Sequence, residues 1–310
     1  MRYSILSFLL LTCFVLPSQA REVLTWEDCV RATRQHHPDL LSAGEQLKQV
    51  TADQQIIQGA ARPQVGSALS ARTGRSAGQD SNAFAYSLTG EQLLFDGRKT
   101  AHGVQAANRD VRAAEYHYAV TSSNIRLNLR TAYAGLLRAQ ELVSLTGTIL
   151  ERRRQNVKLV QLRYEAGREH RGALLTAQAD LANAEFEVSQ ARRNLALSQS
   201  RLTKAMGLAD PAEVVVDSGL PFPEPDQQRP DFAAMAGHTP LLMEFAARKD
   251  AARFSLNAQQ AGVFPTVYLS TSAGHTGSDW PPGQEEWGLG VRVSWPLFEG
   301  GSRVARVSRA

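Results

Sequence analysis

The chain has 310 residues, 43% hydrophobic but only 7% aromatic, and its 34 basic and 30 acidic side chains leave a formal charge of +4. The basic residues are scattered and carry no aromatics between them, which argues against a nucleic-acid surface. Abundant Ala, Gln, Arg, Leu and Glu point to long helices.

Residues 1–20, MRYSILSFLLLTCFVLPSQA, join Arg2 to an apolar run from Ile5 to Leu16, a helix-breaking Pro17 and the small-x-small site Ser18-Gln19-Ala20. This is the pattern of a secretory signal peptide, with Arg21 as the expected first mature residue. Leu11 and Thr12 are poor residues before Cys13 for lipoprotein processing. No other stretch approaches the roughly 18 consecutive apolar residues of a membrane-spanning helix. Cleavage leaves Cys29 as the one cysteine, which excludes an internal disulfide and assigns it the role of a small buried apolar residue.

From Trp26 to Ala60 the sequence predicts a helix with Thr25 as N-cap, closed by Pro63. Val65 to Arg72 then alternates small polar and apolar residues, and after a polar loop FAYSLTGEQLLF sets Phe84, Tyr86 and Leu88 against Ala85, Ser87 and Thr89. Between Gly97 and Pro211 lies a long helical hairpin. Its first arm, Arg98 to Glu165, would be about 100 Å long at ~1.5 Å per residue. Leu129, Leu136, Val143, Leu150, Val157 and Tyr164 recur every seventh residue along it. The returning arm repeats the period with Leu174, Leu181, Val188, Leu195 and Leu202, each followed three residues later by Ala177, Ala184, Ala191, Ser198 or Ala205. A strict period of seven signals supercoiled packing, and the small residues admit a close neighbour. The arms are joined by the short step Ala166-Gly167, where a tight reversal calls for a residue at positive φ. Arg152, Arg153, Arg154, Lys158, Arg163, Arg168 and Arg171 make this end basic, a charge run that reads mostly as a solvated face.

Val214 to Val216 is a short strand candidate, and the Pro-rich LPFPEPDQQRP, Leu220 to Pro230, a connector. Beyond it Val267, Leu269, Thr271 and Ala273 alternate. A loop GHTGSDWPPGQEE follows, with Gly274 and Gly277 read as loop residues. Trp287, Leu289, Val291, Val293 and Trp295 then face one way, with Gly288, Gly290, Arg292 and Ser294 facing the other.

The second half repeats the first. Pro38 matches Pro240 and Pro63 matches Pro265 at a spacing of 202, and Phe95 and Gly97 match Phe298 and Gly300 at 203. The order of elements is helix, strand, strand, helix in both. This divides the chain into a signal peptide (1–20), a first repeat (21–206), a connector (207–230) and a second repeat (231–310) that stops before its own hairpin.

Trp287 to Trp295 spans about 26 Å at ~3.3 Å per residue. That matches the roughly 25 Å apolar band of an outer-membrane barrel with an aromatic at each rim. A soluble hairpin with one buried face is the competing reading. Phe84 and Tyr86 join Trp287 and Trp295 as membrane-interface aromatics. Four strands cannot close a barrel, and lipid does not tolerate an open edge, so a membrane location requires a barrel shared between subunits.

No HExxH, CxxC or phosphate-binding glycine loop is present. The histidines lack second ligands at metal-binding spacing. The sequence therefore predicts no catalytic residue, no cofactor site and no metal site.

The leader, the duplicated plan, the junctions LLFDGRKT and PLFEGGSR, the segments GAARPQV and GVFPTVY, and RYEAGREHRGALLTAQADLANAE together resemble the TolC family of outer-membrane efflux proteins, over essentially all of Val23 to Ala310. The resemblance implies a mainly α fold with a membrane β part. In it a homotrimer shares one twelve-stranded barrel in outer-membrane lipid and a long α-barrel crosses the periplasm. It further implies a passive channel subunit of a tripartite efflux or type I secretion system, working with a periplasmic adaptor protein and an inner-membrane pump. The Ala166-Gly167 turn then corresponds to the adaptor-docking tip, carried by Arg163, Tyr164, Ala166, Gly167, Arg168 and Leu174. A turn without a binding role is the alternative on the residues alone. The sequence departs from the family after PLFEGG, where SRVARVSRA stands in place of a second hairpin and of the residues that constrict the inner aperture. Competing functions are a periplasmic coiled-coil adaptor or scaffold, or a truncated fragment without function.

Overall fold

Thr25 opens the first helix as expected. Its hydroxyl accepts from the Asp28 backbone N–H at 3.3 Å, while Asp28 Oδ2 accepts from the Thr25 N–H at 3.2 Å, a reciprocal capping box. Hydrogen bonding from Thr25 is the main reason the Asp28 carboxyl titrates below its usual range. The computed structural model describes residues 23–76, 79–209, 213–219 and 231–310. The leader and the connector Leu220 to Pro230 lie outside them.

The elements run β1 (Val23–Leu24), α1 (Trp26–His36), α2 (Pro38–Gly59), β2 (Gln64–Ser76), β3 (Gln79–Phe95), α3 (Lys99–Glu165), α4 (Arg171–Met206), β4 (Val215–Val216), α5 (Phe232–Gly237), α6 (Pro240–Gln260), β5 (Thr266–Gly277), β6 (Gln284–Ser294) and α7 (Ser302–Arg309). The single helix expected over Trp26 to Ala60 is two. Pro38 lacks an N–H and pushes the residue before it out of helical geometry, and His37 is extended at φ −69°, ψ 116°. Thr239 before Pro240 is extended in the same way, at φ −68°, ψ 139°. Both strand-to-helix junctions also use two successive left-handed residues, Gly97 and Arg98 in one and Gly300 and Gly301 in the other.

Two units can be distinguished. Of the described residues, the first takes 23–37, 125–209 and 213–219, the second 38–76, 79–124 and 231–310. In the first, Cys29, Leu129, Tyr133, Leu136, Leu202, Met206, Val214 and Val216 form the core. Trp26 meets the Tyr133 ring edge-on, with centroids 5.7 Å apart. The expected short strand is β4, and its partner is a strand not foreseen, β1, paired parallel to it through Val23 with Val215 and Leu24 with Val216. Side chains hold this two-stranded ribbon in place. Tyr133 Oη donates to the Asp217 carbonyl at 2.8 Å, and Gln140 both donates to the Val216 carbonyl at 3.1 Å and accepts its N–H at 2.9 Å. Gln199 donates to the Val214 carbonyl at 3.0 Å. Each bond satisfies a backbone group that so short a ribbon leaves open.

The period of seven on α3 has unequal depth. Leu129 and Leu136 are fully buried, Val143, Leu150 and Val157 half-buried, and Tyr164 exposed. On α4 the small residues Ala177, Ala184 and Ala191 are buried more deeply than Leu174, Leu181 and Leu195, so the alanine stripe forms the close contact.

In the second unit the four strands make one antiparallel sheet in the order β2-β3-β5-β6. Gly274 and Gly277 belong to β5 rather than to the loop after it. A Cβ on Gly274 would stand 2.3 Å from the Tyr86 carbonyl oxygen, so the glycine serves a close approach of two strands. No helix among the described residues is long and apolar enough to cross a membrane.

Candidate functional site

The register gives the sheet two unlike faces. Leu69, Tyr86 and His275 stand side by side on one, as do Ser67, Leu88, Ala273 and Trp287, and Gln92, Leu269 and Val291. Because strand residues alternate between faces, Val65, Phe84, Leu289 and Val293 share this apolar side. Trp287 is 76% exposed, Leu69 70% and Leu289 69%. Such an apolar face, open in a single chain, requires a covering medium.

Small and polar residues fill the opposite face: Gly66, Ser70, Ser87, Thr89, Ser270, Ser272, Gly288 and Gly290. Among its described residues Arg72, Glu91, Glu286 and Arg292 are charged. Among the described residues, both outer strands, β2 and β6, are left with an unpaired edge.

Three of the four expected aromatics lie together near one end of the apolar face. Phe84 stands opposite Gly277, Tyr86 opposite His275, and Trp287 opposite Ala273. Two further rings join them that the alternation pattern did not single out. Trp280 in the β5–β6 loop meets Phe84 edge-on at 6.0 Å, and His275 stacks on Tyr86 at 4.9 Å and 13°. Trp295 lies one residue beyond the end of β6, where its indole N–H donates to the Val263 carbonyl at 3.1 Å.

At the other candidate site, α3 closes as expected at Ala166-Gly167. Arg168 N–H reaches back to the Arg163 carbonyl at 2.8 Å and Gly167 N–H to that of Tyr164 at 2.9 Å. With Gly167 at φ +72°, these bonds form a Schellman motif that satisfies the last carbonyls of the helix. The restart on the far side uses a residue the sequence reading missed. His170 Nδ1 accepts the Ala173 N–H at 3.0 Å and caps α4. Histidine is not among the usual cap residues, so only the position three residues before Ala173 marked it.

Arg153 bonds Asp180 across the hairpin at 3.1 Å, and Arg154 lies 3.9 Å from Glu185. Arg152, Lys158, Arg163, Arg168 and Arg171 are exposed, and among the described residues none has a carboxylate within ion-pair distance. Tyr164 and Ala166 are exposed on the same turn and Leu174 is half-buried just beyond it. The tip thus offers a rigid, net basic reversal with one exposed ring.

In the second unit a cavity of about 400 Å³ lies between α2 and α3, walled by Leu47, Val50, Ile57 and Ala113 with Asp53 and Asp110. Burial pushes the Asp110 carboxyl above its usual range, and Arg248 partly offsets that. The buried Glu244 nearby is paired with Arg248 at 2.5 Å, and His117 Nδ1 lies 3.3 Å from the same carboxylate. Among the described residues no cluster of His, Cys, Asp and Glu has the geometry to hold a metal.

The sequence matches the family described as outer membrane efflux protein over residues 29–208 and 234–310. The chain belongs to that family. Among characterised relatives, the alkaline protease secretion protein AprF of Pseudomonas aeruginosa is 25% identical over 248 residues, which cover 75% of this chain and 50% of AprF. The chain therefore spans about half the length of that relative. Among solved structures, the outer membrane protein VceC of Vibrio cholerae superposes with a TM-score of 0.75 at 21% identity, covering 91% of this chain and 71% of VceC. The outer membrane channel CmeC of Campylobacter jejuni gives 0.78 at 16% identity, covering 91% of this chain and 63% of CmeC. These structures share the fold, mainly helical with a four-stranded antiparallel contribution. As an efflux family member the chain resides in the outer membrane and extends into the periplasm.

Proposed function

We propose that this outer membrane efflux family protein is a channel subunit of a tripartite efflux or type I secretion system, a passive conduit across the periplasm and outer membrane. The observation that carries the reading is the sheet: four strands, apolar on one face, small and polar on the other, with both edges unpaired. In lipid such a sheet must be completed by strands from elsewhere. A homotrimer completes it, each copy giving four strands, with Phe84, Tyr86, Trp287 and Trp295 at the membrane interfaces. The domain plan follows: a leader (1–20), a first repeat (21–206), a connector (207–230) and a second repeat (231–310). AprF, named for protease secretion, supports a protein cargo. The likeness to CmeC and VceC supports the channel fold.

The tip at Arg163, Tyr164, Ala166, Gly167, Arg168 and Leu174 is the surface offered to a periplasmic adaptor, which in turn engages an inner-membrane pump. Its test is Gly167→Val. A β-branched residue at φ +72° costs on the order of 1 to 2 kcal/mol, and nothing lies within 4 Å of the new Cβ, so the damage stays at the turn. We expect normal outer-membrane fractionation and oligomer heat-stability, with loss of site-specific cross-linking to the adaptor and of export. Unchanged cross-linking and export would show that the turn has no docking role.

A further inference from the structure

The polar face of the sheet holds an arrangement that neither alternation nor family membership assigns. Glu91 sits on β3 and Arg292 on β6, with β5 between them, yet Arg292 Nη2 donates to Glu91 Oε1 at 2.8 Å. The pair reaches across a whole strand. It can do so because the positions in register with Glu91 on β5 and β6 are Ser270 and Gly290, whose small side chains leave the arginine room to reach over them. Ser270 Oγ donates to the Gly290 carbonyl at 3.3 Å, so its hydroxyl is turned into the ladder. Arg292 stands opposite Tyr268, one step nearer the helical end of the sheet.

Both charged groups remain in solvent, with side chains 64% and 44% exposed for Arg292 and Glu91. A pair so wet contributes little to stability. A structural strap is therefore a weak account of it. The neighbouring surface is a shallow trough floored by Thr89, Ser270, Ser272, Gly288 and Gly290, small groups that widen the path beside the two charges. The other charged residues of this face, Arg72 and Glu286, lie in register with Ala83 and Gly274, towards the opposite end. Among the described strand residues of this face, Glu91 and Arg292 are the charged ones nearest the helical end.

Resting on the channel reading above, we infer that Glu91 and Arg292 are specificity-determining residues of the conduit. Mutually neutralised, they add no net charge to the helix-proximal part of the lumen, so that the sheet there favours solutes of neither sign. In an aqueous pore bounded by low-dielectric walls, an unpaired ring of charge concentrates counter-ions and excludes co-ions. Breaking the pair from either side therefore imposes selectivity of opposite sign.

The experiment uses the protein extracted from outer membranes in detergent and reconstituted into planar lipid bilayers under a potassium chloride gradient. Reversal potentials are read for the wild type, Glu91→Gln, Arg292→Gln, the double variant and the exchange Glu91→Arg with Arg292→Glu. Glu91→Gln should favour chloride and Arg292→Gln potassium, each changing the permeability ratio about two- to fourfold. The double variant and the exchange should return to the wild-type ratio. The exchange keeps an ion pair, so it separates loss of charge balance from loss of folding. Conducting channels whose single variants keep the wild-type ratio would overturn the inference and leave the channel reading intact. Properly inserted wild-type protein that conducts nothing would overturn the channel reading, and the inference with it.

Discussion

Two glycines with nearly the same backbone and very different surroundings allow the cost of a left-handed turn to be separated from the cost of a steric clash. Gly207 ends α4 at φ +80°, and a Cβ there would stand 2.6 Å from His37 Cα and 2.7 Å from the His36 carbonyl oxygen. Those are backbone atoms at the bend before Pro38, whose ring fixes the local geometry, so they cannot swing away as a side-chain tip would. Gly167 has φ +72° and open space within 4 Å. Alanine at either site costs about 1 to 2 kcal/mol for the left-handed conformation. At 207 the forced overlap adds a further ~1 to 3 kcal/mol. In a unit of this size each kcal/mol lowers the melting temperature by about 2 to 4 °C. We expect Gly167→Ala to lower the thermal midpoint of helical circular dichroism by about 4 °C and Gly207→Ala by about 10 °C. Equal shifts for the two variants, or a smaller one at 207, would refute the claim that the close approach of α4 to the His36-His37 bend is fixed.

Tyr133→Phe should remove the donor that satisfies the Asp217 carbonyl at 2.8 Å and cost about 1 to 2 kcal/mol. Denaturant titration checks it, and the hydrogen exchange of the Asp217 amide, which donates to the Leu24 carbonyl at 3.2 Å, should quicken. Cys29 is fully buried and its thiol is pushed up to about 11, chiefly by burial. At pH 8 a thiol reagent should label it only after unfolding. Since the folded value lies above the unfolded one, its contribution to stability is complete below about pH 9 and is lost as the pH climbs towards 11. A Cys29→Ala variant should lack this alkaline loss, which stepwise melting between pH 8 and 11 would reveal.

The elements written into local pattern were legible from the sequence. Thr25 with Asp28 announced a cap, alternation set the strands, sevens set the hairpin, and Ala166-Gly167 marked its reversal. What local pattern does not encode was missed. A two-residue ribbon such as β1 with β4 has no periodicity, and it exists because Tyr133, Gln140 and Gln199 reach it from distant helices. Gly274 reads as a loop residue until the Tyr86 carbonyl is seen beside it. The Glu91 and Arg292 side chains meet across 201 residues, a juxtaposition only the strand order creates. Trp295 carried the alternation one step past the strand, because pattern continues where hydrogen bonding stops.

The bare margins of β2 and β6 impose an order on events in the cell. A row of unbonded amides and carbonyls is tolerable in water, where solvent occupies them, and prohibitive in hydrocarbon. The apolar face beside it has the reverse preference. A lone chain is therefore poorly suited to either medium, and the two preferences are reconciled only when further strands dock on those margins as the bilayer is entered. On the shared-barrel reading proposed above, insertion requires a meeting between polypeptides, so the yield of membrane-embedded protein should rise more steeply than in proportion to the amount synthesised.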